Sequence, residues 1–289
     1  ARLIRSLRPS IVQSWMYHAD LMALAAMFVL PRYNRPRLVW GVRCSDMDVS
    51  RYGSALRWTI ALCAHLSRRP DALIINSHAG RRAHEAIGYR PRRVEVIPNG
   101  IDLERYRPDS VMRAAVRREL GLVDGSLVIA HVARLDAMKD HANLLAALER
   151  LPAVTALAIG SGTETLPDRP NLKRLGIRTD VPRLLTACDV IVSTSAFGEG
   201  FSNALAEGMA TGLIPIATDV GDSRLIAGDV GFVVQPRDPD AIVDAVNRLI
   251  SAPAEEWARR KDQARTRIET NFTLSKAADA YMSLYRALA

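Results

Sequence analysis

Cysteine is scarce in this sequence: Cys44, Cys63 and Cys188 are odd in number, scattered and without metal-ligand spacing. That argues against a disulfide framework or a cysteine-held metal and for a reduced, cytosolic setting. Lysine is scarce too, four of the 39 basic residues, so the positive charge is carried almost entirely by arginine. Long apolar runs are missing. The longest, Leu21 to Leu30, has ten residues, about half of what a membrane-spanning helix requires, and is read as a core helix. The opening Ala1-Arg2-Leu3-Ile4-Arg5 is basic and lacks the apolar centre and cleavage site of a signal peptide, so the sequence is expected to begin inside a longer protein. Internal repeats, low-complexity tracts and nucleic-acid-binding motifs are absent as well.

What is present is material for two cores, since 48% of 289 residues are apolar. The charge is uneven: residues 1–107 hold 18 Arg and 8 acidic residues, a net +10, and 108–289 hold 21 basic against 23 acidic, a net −2. A basic first domain suits an anionic membrane surface or phosphate-bearing substrates, and an arginine-rich composition explains the same numbers without either.

Hydrophobic periodicity places strands at 11–15, 37–42, 72–77 and 94–98, separated by helical stretches at 18–30, 52–68 and 79–87, after a first helix at 1–8. Crossovers of that length imply a parallel sheet. Residues 99–109 read as a linker. The alternation restarts with strands at 127–133, 155–160, 172–175, 190–193, 214–218 and 231–234 and helices at 139–151, 182–188, 202–212 and 239–251. Residues 255–289 are helical in pattern, with an apolar face through Leu274, Ala278, Tyr281, Leu284 and Tyr285.

The stretch Phe197 to Asp219 carries the clearest chemistry. Ser202 suits a helix N-cap, which leaves the amides of Asn203, Ala204 and Leu205 without intrahelical acceptors and able to meet a diphosphate. Glu207 lies one turn beyond Asn203, and Glu199 stands in the loop before it, with Gly200 and Phe201 between loop and helix. Two carboxylates beside an anion site suit neutral hydroxyls on either side of it, the layout of a nucleotide sugar; solvated surface glutamates are the plainer reading. Arg134 and Lys139 bracket a turn after a strand, where open α/β sheets bind ligands, and suit a diphosphate; pairing with Asp136 and Asp140 at the surface is the alternative. Gly160-Ser161-Gly162 allows close backbone approach, and Ile177 ends the next strand, where backbone groups could read a base. His18 follows a strand end in the first half, and Asp46-Met47-Asp48 is either a metal-holding pair or a capped turn.

In combination, Val96-Ile97-Pro98-Asn99-Gly100-Ile101-Asp102, Ala133-Arg134-Leu135 with Lys139, and Glu199 to Glu207 resemble the retaining glycosyltransferases of family four. The resemblance implies the GT-B fold, an α/β class of two Rossmann-like doubly wound domains facing a cleft, the first of them incomplete here. It implies an acceptor-side domain at 1–107, with 274–289 packing back on it, and a nucleotide-sugar domain at 108–273. Arg134 and Lys139 would bind the donor diphosphate, Glu207 the ribose, Glu199 the donor-sugar hydroxyls, the amides of Phe201, Ser202 and Asn203 the sugar and phosphate, and residues around Ile177 the base. Gly160 would line the donor site. His18 falls near the donor-facing loop of the first domain, although Trp15 stands where several relatives carry a histidine.

The expected function is metal-free, retaining transfer of a hexose from a nucleotide-sugar donor, UDP-linked, to a glycan or lipid-linked acceptor in cell-surface polysaccharide biosynthesis. No cofactor and no nucleic-acid partner are expected, and the location is cytoplasmic, peripheral at the inner face of the membrane. A nucleotide-sugar epimerase and a non-catalytic nucleotide-sugar-binding or membrane-peripheral protein share the same features.

Overall fold

The computed structural model describes residues 1–31, 33, 35–45 and 53–289. Its contacts divide the chain into two units, Ala1–Asn99 with Gly198–Phe201 and Ser275–Ala289, and Gly100–Phe197 with Ser202–Leu274. The Asp46/Asp48 pair lies outside the described residues.

The first unit runs α1 (Arg2–Leu7), β1 (Ile11–Gln13), α2 (Tyr17–Phe28), β2 (Arg37–Val42), α3 (Ser54–Leu66), β3 (Ala72–Ile75), α4 (His78–Ala86) and β4 (Val94–Val96). Each strand pairs in parallel with the next, giving the order β1-β2-β3-β4. The alternation along β2 sends Leu38, Trp40 and Val42 into one core with Leu24 and Met27 of α2 and Ile60 of α3. Val39 faces the opposite side, with Ala72 and Ile74. Strands with both faces covered read as near-continuous apolar runs, which is how they announced themselves in the sequence.

The second unit contains α5 (Ser110–Glu119), β5 (Val128–Val132), α6 (His141–Glu149), β6 (Thr155–Ile159), β7 (Leu172–Gly176), α7 (Val181–Thr186) and β8 (Val190–Ser193). It continues with α8 (Asn203–Ala210), β9 (Ile214–Thr218), α9 (Ser223–Ala227), β10 (Phe232–Val234), α10 (Pro239–Ile250) and α11 (Ala254–Asn271). Its six strands are parallel in the order β10-β9-β8-β5-β6-β7. From β5 the chain steps outward to β6 and β7, then returns to lay β8, β9 and β10 on the other side. The reversal falls between β5 and β8, and the crevice at the carboxyl ends of those two strands is where such sheets take ligands.

Four elements differ from the sequence reading. Helix α5 was missed because it shows little apolar face: only Val116 and Arg117 are buried, and it is set instead by Asp109, whose carboxylate accepts from Met112 N at 2.8 Å. The helix expected from residue 139 is interrupted, since a 3-10 turn, Ala137–Lys139, precedes Asp140, which adopts φ 44° and caps α6. The single helix expected over 255–289 is two, α11 and α12 (Leu274–Leu288). The break is made by Ile101, whose amide donates to Phe272 O at 2.8 Å and whose carbonyl accepts from Leu274 N at 3.2 Å. Helix α12 sets Leu284 against Val39, Ala72, Ile74 and Ile97 of the first unit. The short helix α9 was also missed, five residues being too few for a period to register.

Candidate functional site

In the second unit, β5 delivers Ala133-Arg134-Leu135 to the reversal point. The loop stays tied to its neighbour after β6, because Ala133 N donates to Ile159 O at 2.9 Å and Leu135 N to Ser161 O at 2.7 Å. Gly160 permits this approach: at φ 140°, a Cβ there would lie 2.3 Å from Ala133 O. Arg134 is exposed and its Nε donates to Asp136 at 3.1 Å. This is the surface pairing weighed as the alternative for Arg134, and an exposed pair of this kind is worth about 0–1 kcal/mol, small enough to yield to a phosphate. Asp136 is held below the usual carboxylate range, first by the Met138 amide and then, after a smaller opposing effect of burial, by Arg134. Lys139 is half-buried at the end of the 3-10 turn.

The loop leaving β8 is bonded to that turn: Ala196 N donates to Met138 O at 2.8 Å, and Thr194 Oγ1 to Lys139 O at 2.7 Å. After it comes α8. Ser202 occupies the N-cap position but its side chain makes no capping bond, so the first amides of the helix are not closed off by it. Asn203 is exposed, and Glu207 is half-buried one turn on. Burial pushes the Glu207 carboxyl up, opposed by a hydrogen bond from the Tyr106 hydroxyl and by the charge of Arg105. Tyr106 is itself pushed up to about 12, first by burial and then by the Glu207 charge. Ile177 is exposed just past β7.

The remaining candidates belong to the first unit. Glu199, Gly200 and Phe201 group with it. Gly200 packs closely on two serines, since a Cβ would stand 2.6 Å from Ser45 Oγ and 3.0 Å from Ser77 Oγ, and a side chain there would have to turn those hydroxyls aside. Phe201 is buried. His18 is exposed in the first turn of α2, and nearby Trp15 carries the Arg43 guanidinium over its ring at 4.4 Å. The structure thus gathers Arg134, Lys139 and Gly160 at adjoining strand ends, with the loop to Ser202, Asn203 and Glu207 bonded to the same turn. Tyr106, His131 and Thr194 were not singled out from sequence. The first stood in a linker, and the other two are lone polar letters, His131 within the apolar run of β5 and Thr194 just past β8.

Two all-parallel α/β units, the second of them doubly wound, match the GT-B class. Residues 1–105 match the Glycosyltransferase Family 4 model and residues 126–252 the Glycosyl transferases group 1 model, and the chain belongs to this family of glycosyltransferases. It is 30% identical over 243 residues to a D-inositol 3-phosphate glycosyltransferase of Rhodococcus erythropolis, covering 76% of this chain and 54% of the relative. Over 214 residues it is 29% identical to a UDP-Gal:alpha-D-GlcNAc-diphosphoundecaprenol alpha-1,3-galactosyltransferase of Escherichia coli, covering 68% of this chain and 54% of that one. The chain therefore spans about half the length of these curated relatives. Among solved structures, HepE of Anabaena in complex with UDP-glucose superposes with a TM-score of 0.81 at 22% identity, covering 98% of this chain and 80% of that one. A sucrose-phosphate synthase of Thermosynechococcus elongatus gives 0.84 at 18% identity, with 99% and 75% covered. No helix among the described residues is long and apolar enough to cross a membrane.

Proposed function

We propose that the protein transfers a hexose from a nucleotide-sugar donor, UDP-linked, to a glycan or lipid-linked acceptor with retention of anomeric configuration and without a metal ion. The observation that carries this reading is the meeting of Arg134, Lys139 and the loop to α8 at the carboxyl ends of β5 and β8. Breaking the bond between the anomeric carbon and the terminal phosphate oxygen leaves negative charge on that phosphate. Fixed cations and amides stabilise such charge where it develops. In this reading Arg134 and Lys139 meet the leaving phosphate, and the amides of Phe201 to Asn203 assist. Glu207 accepts from the ribose hydroxyls, and the backbone at Ile177 meets the base. Glu199 holds donor-sugar hydroxyls, and His18 is the candidate acid–base group of the first unit.

The UDP and the lipid- or glycan-linked acceptor are drawn from what the names of the relatives and neighbours state of those proteins. A role in cell-surface polysaccharide assembly at the cytoplasmic face of a membrane extends the same reading. The test is sugar transfer by the whole protein after exhaustive chelation, with and without added manganese, the product anomer being read by NMR. Transfer that survives chelation and keeps the anomer is expected, with Arg134→Ala and Lys139→Ala each lowering turnover by about a hundredfold. Activity that returned only with manganese would defeat the metal-free part, and a donor altered with no acceptor present would favour an epimerase.

A further inference from the structure

Beneath the turn that carries Lys139 runs a short relay of two side-chain hydrogen bonds, the first buried and the second half-buried. Strand β5 pairs with β8 at Ile129↔Val190 and Ala130↔Ile191. Beyond it, toward the carboxyl ends, side chains span the gap. His131, 1% exposed, places Nε2 at 2.9 Å from Thr194 Oγ1. Thr194, also 1% exposed, places Oγ1 at 2.7 Å from the carbonyl oxygen of Lys139. A carbonyl can only accept, so the Thr194 hydroxyl donates to Lys139, and its oxygen accepts from His131. That puts the histidine proton on Nε2. The ring is wedged edge-on against His141, with centroids 4.6 Å apart. Burial, with His141 and Lys139 nearby, holds His131 well below its ordinary range and so neutral at neutral pH.

We infer that His131 and Thr194 are positioning residues for the cationic turn: they pin the Lys139 backbone to the end of β8, so that its ammonium is held for the diphosphate. The inference rests on the reading that Lys139 meets that diphosphate. A lysine chain is long and mobile, and the energy it gives to a phosphate depends on how much freedom it must surrender. A backbone tied at Lys139 by Thr194 and at Met138 by Ala196 surrenders less. Removing the hydroxyl would leave a half-buried carbonyl and a buried imidazole each without this partner, and the turn would relax toward water.

The test uses binding of UDP and of uridine to the whole protein, by calorimetry and ligand-observed NMR; GDP and guanosine replace them if those bind instead. Thr194→Val, equal in size and lacking the hydroxyl, should weaken UDP about tenfold and leave uridine unchanged, and Thr194→Ser should restore UDP. His131→Phe should fall short in the same selective way, with His131→Gln, which keeps a donor near the Nε2 position, partly restored. Equal losses for UDP and uridine would reduce both residues to fold support and overturn the inference, as would a Thr194→Val protein that does not fold. Lys139→Ala separates the two levels of the argument. If it binds UDP as the wild type does, the reading of Lys139 fails; if it loses UDP while Thr194→Val and His131→Phe do not, only the positioning role fails.

Discussion

Asp20 is a carboxyl group with no exposed surface, at the buried side of α2, accepting from Ser14 Oγ at 2.5 Å. Burial pushes it up from 3.8 to about 7, against smaller opposing effects of Ser14 and the Gly41 backbone. The folded state therefore holds a proton that the unfolded chain gives up near pH 4. The stability this lends is full below about pH 4, declines as pH rises, and is gone above about pH 7. His84, also buried and held below its ordinary range by desolvation, works in the opposite sense and loses stability as pH falls. Subtracting the urea-unfolding profile of Asp20→Asn from that of the wild type should isolate the carboxyl, as a slope between pH 4 and 7 that flattens above. Parallel profiles would show that Asp20 is ionised in the fold. At Glu207 the issue is hydroxyl recognition. Glu207→Ala should weaken UDP binding by about 1–3 kcal/mol, the cost of leaving hydrogen-bonding groups unpaired, and unchanged calorimetric affinity would remove it from the site.

Among elements, the join of β5 and β6 is the tightest constraint near the proposed donor site. Gly160→Ala would force a residue with a Cβ into φ 140° and against Ala133 O, costing ~2 kcal/mol or more. Because Ala133 leads directly to Arg134, nucleotide binding should suffer with stability. Unchanged melting and UDP affinity would show that the loop has room. This geometry also explains what the sequence could convey. Strands such as β3 and β9 are buried on both faces, so their apolar runs and flanking turns located them within a residue or two. Helix α5 rests on its cap and on arginines bonded to carbonyls, as Arg117 is to Ala187 O at 3.0 Å, and no hydrophobic period could reveal it. Arg134 and Lys139 stood out because charged letters close an apolar run. His131 and Thr194 did not, because their meaning lies in a contact across 63 positions of sequence, which only the strand order supplies.

At the scale of the molecule the charge is lopsided, +10 over residues 1–107 against −2 over the rest, and within the first unit it is also concentrated. A cavity of about 580 Å³ is lined by Arg5, Arg8, Arg35, Arg37 and Tyr33. Arg5 and Arg35 donate to the carbonyls of Val29 and Leu30, which orient a guanidinium without cancelling its charge; Arg37 is additionally paired with Asp71. Beside the cavity, α1 exposes Leu3 and Leu7. Basic groups around exposed leucines suit the headgroup region of an anionic bilayer, where each arginine near the surface contributes about 1 kcal/mol and salt removes it over a Debye length of about 10 Å at 0.1 M. The whole protein should therefore sediment with vesicles containing phosphatidylglycerol and not with pure phosphatidylcholine, and raising salt from 0.1 to 0.5 M should release most of it. Replacing Arg5, Arg8 and Arg35 together by Gln should release it at low salt as well, without changing UDP affinity, because none of the three is among the residues proposed to meet the donor. Equal sedimentation with neutral and anionic vesicles would leave the arginines as composition alone, and salt-resistant binding would give the leucines the larger share.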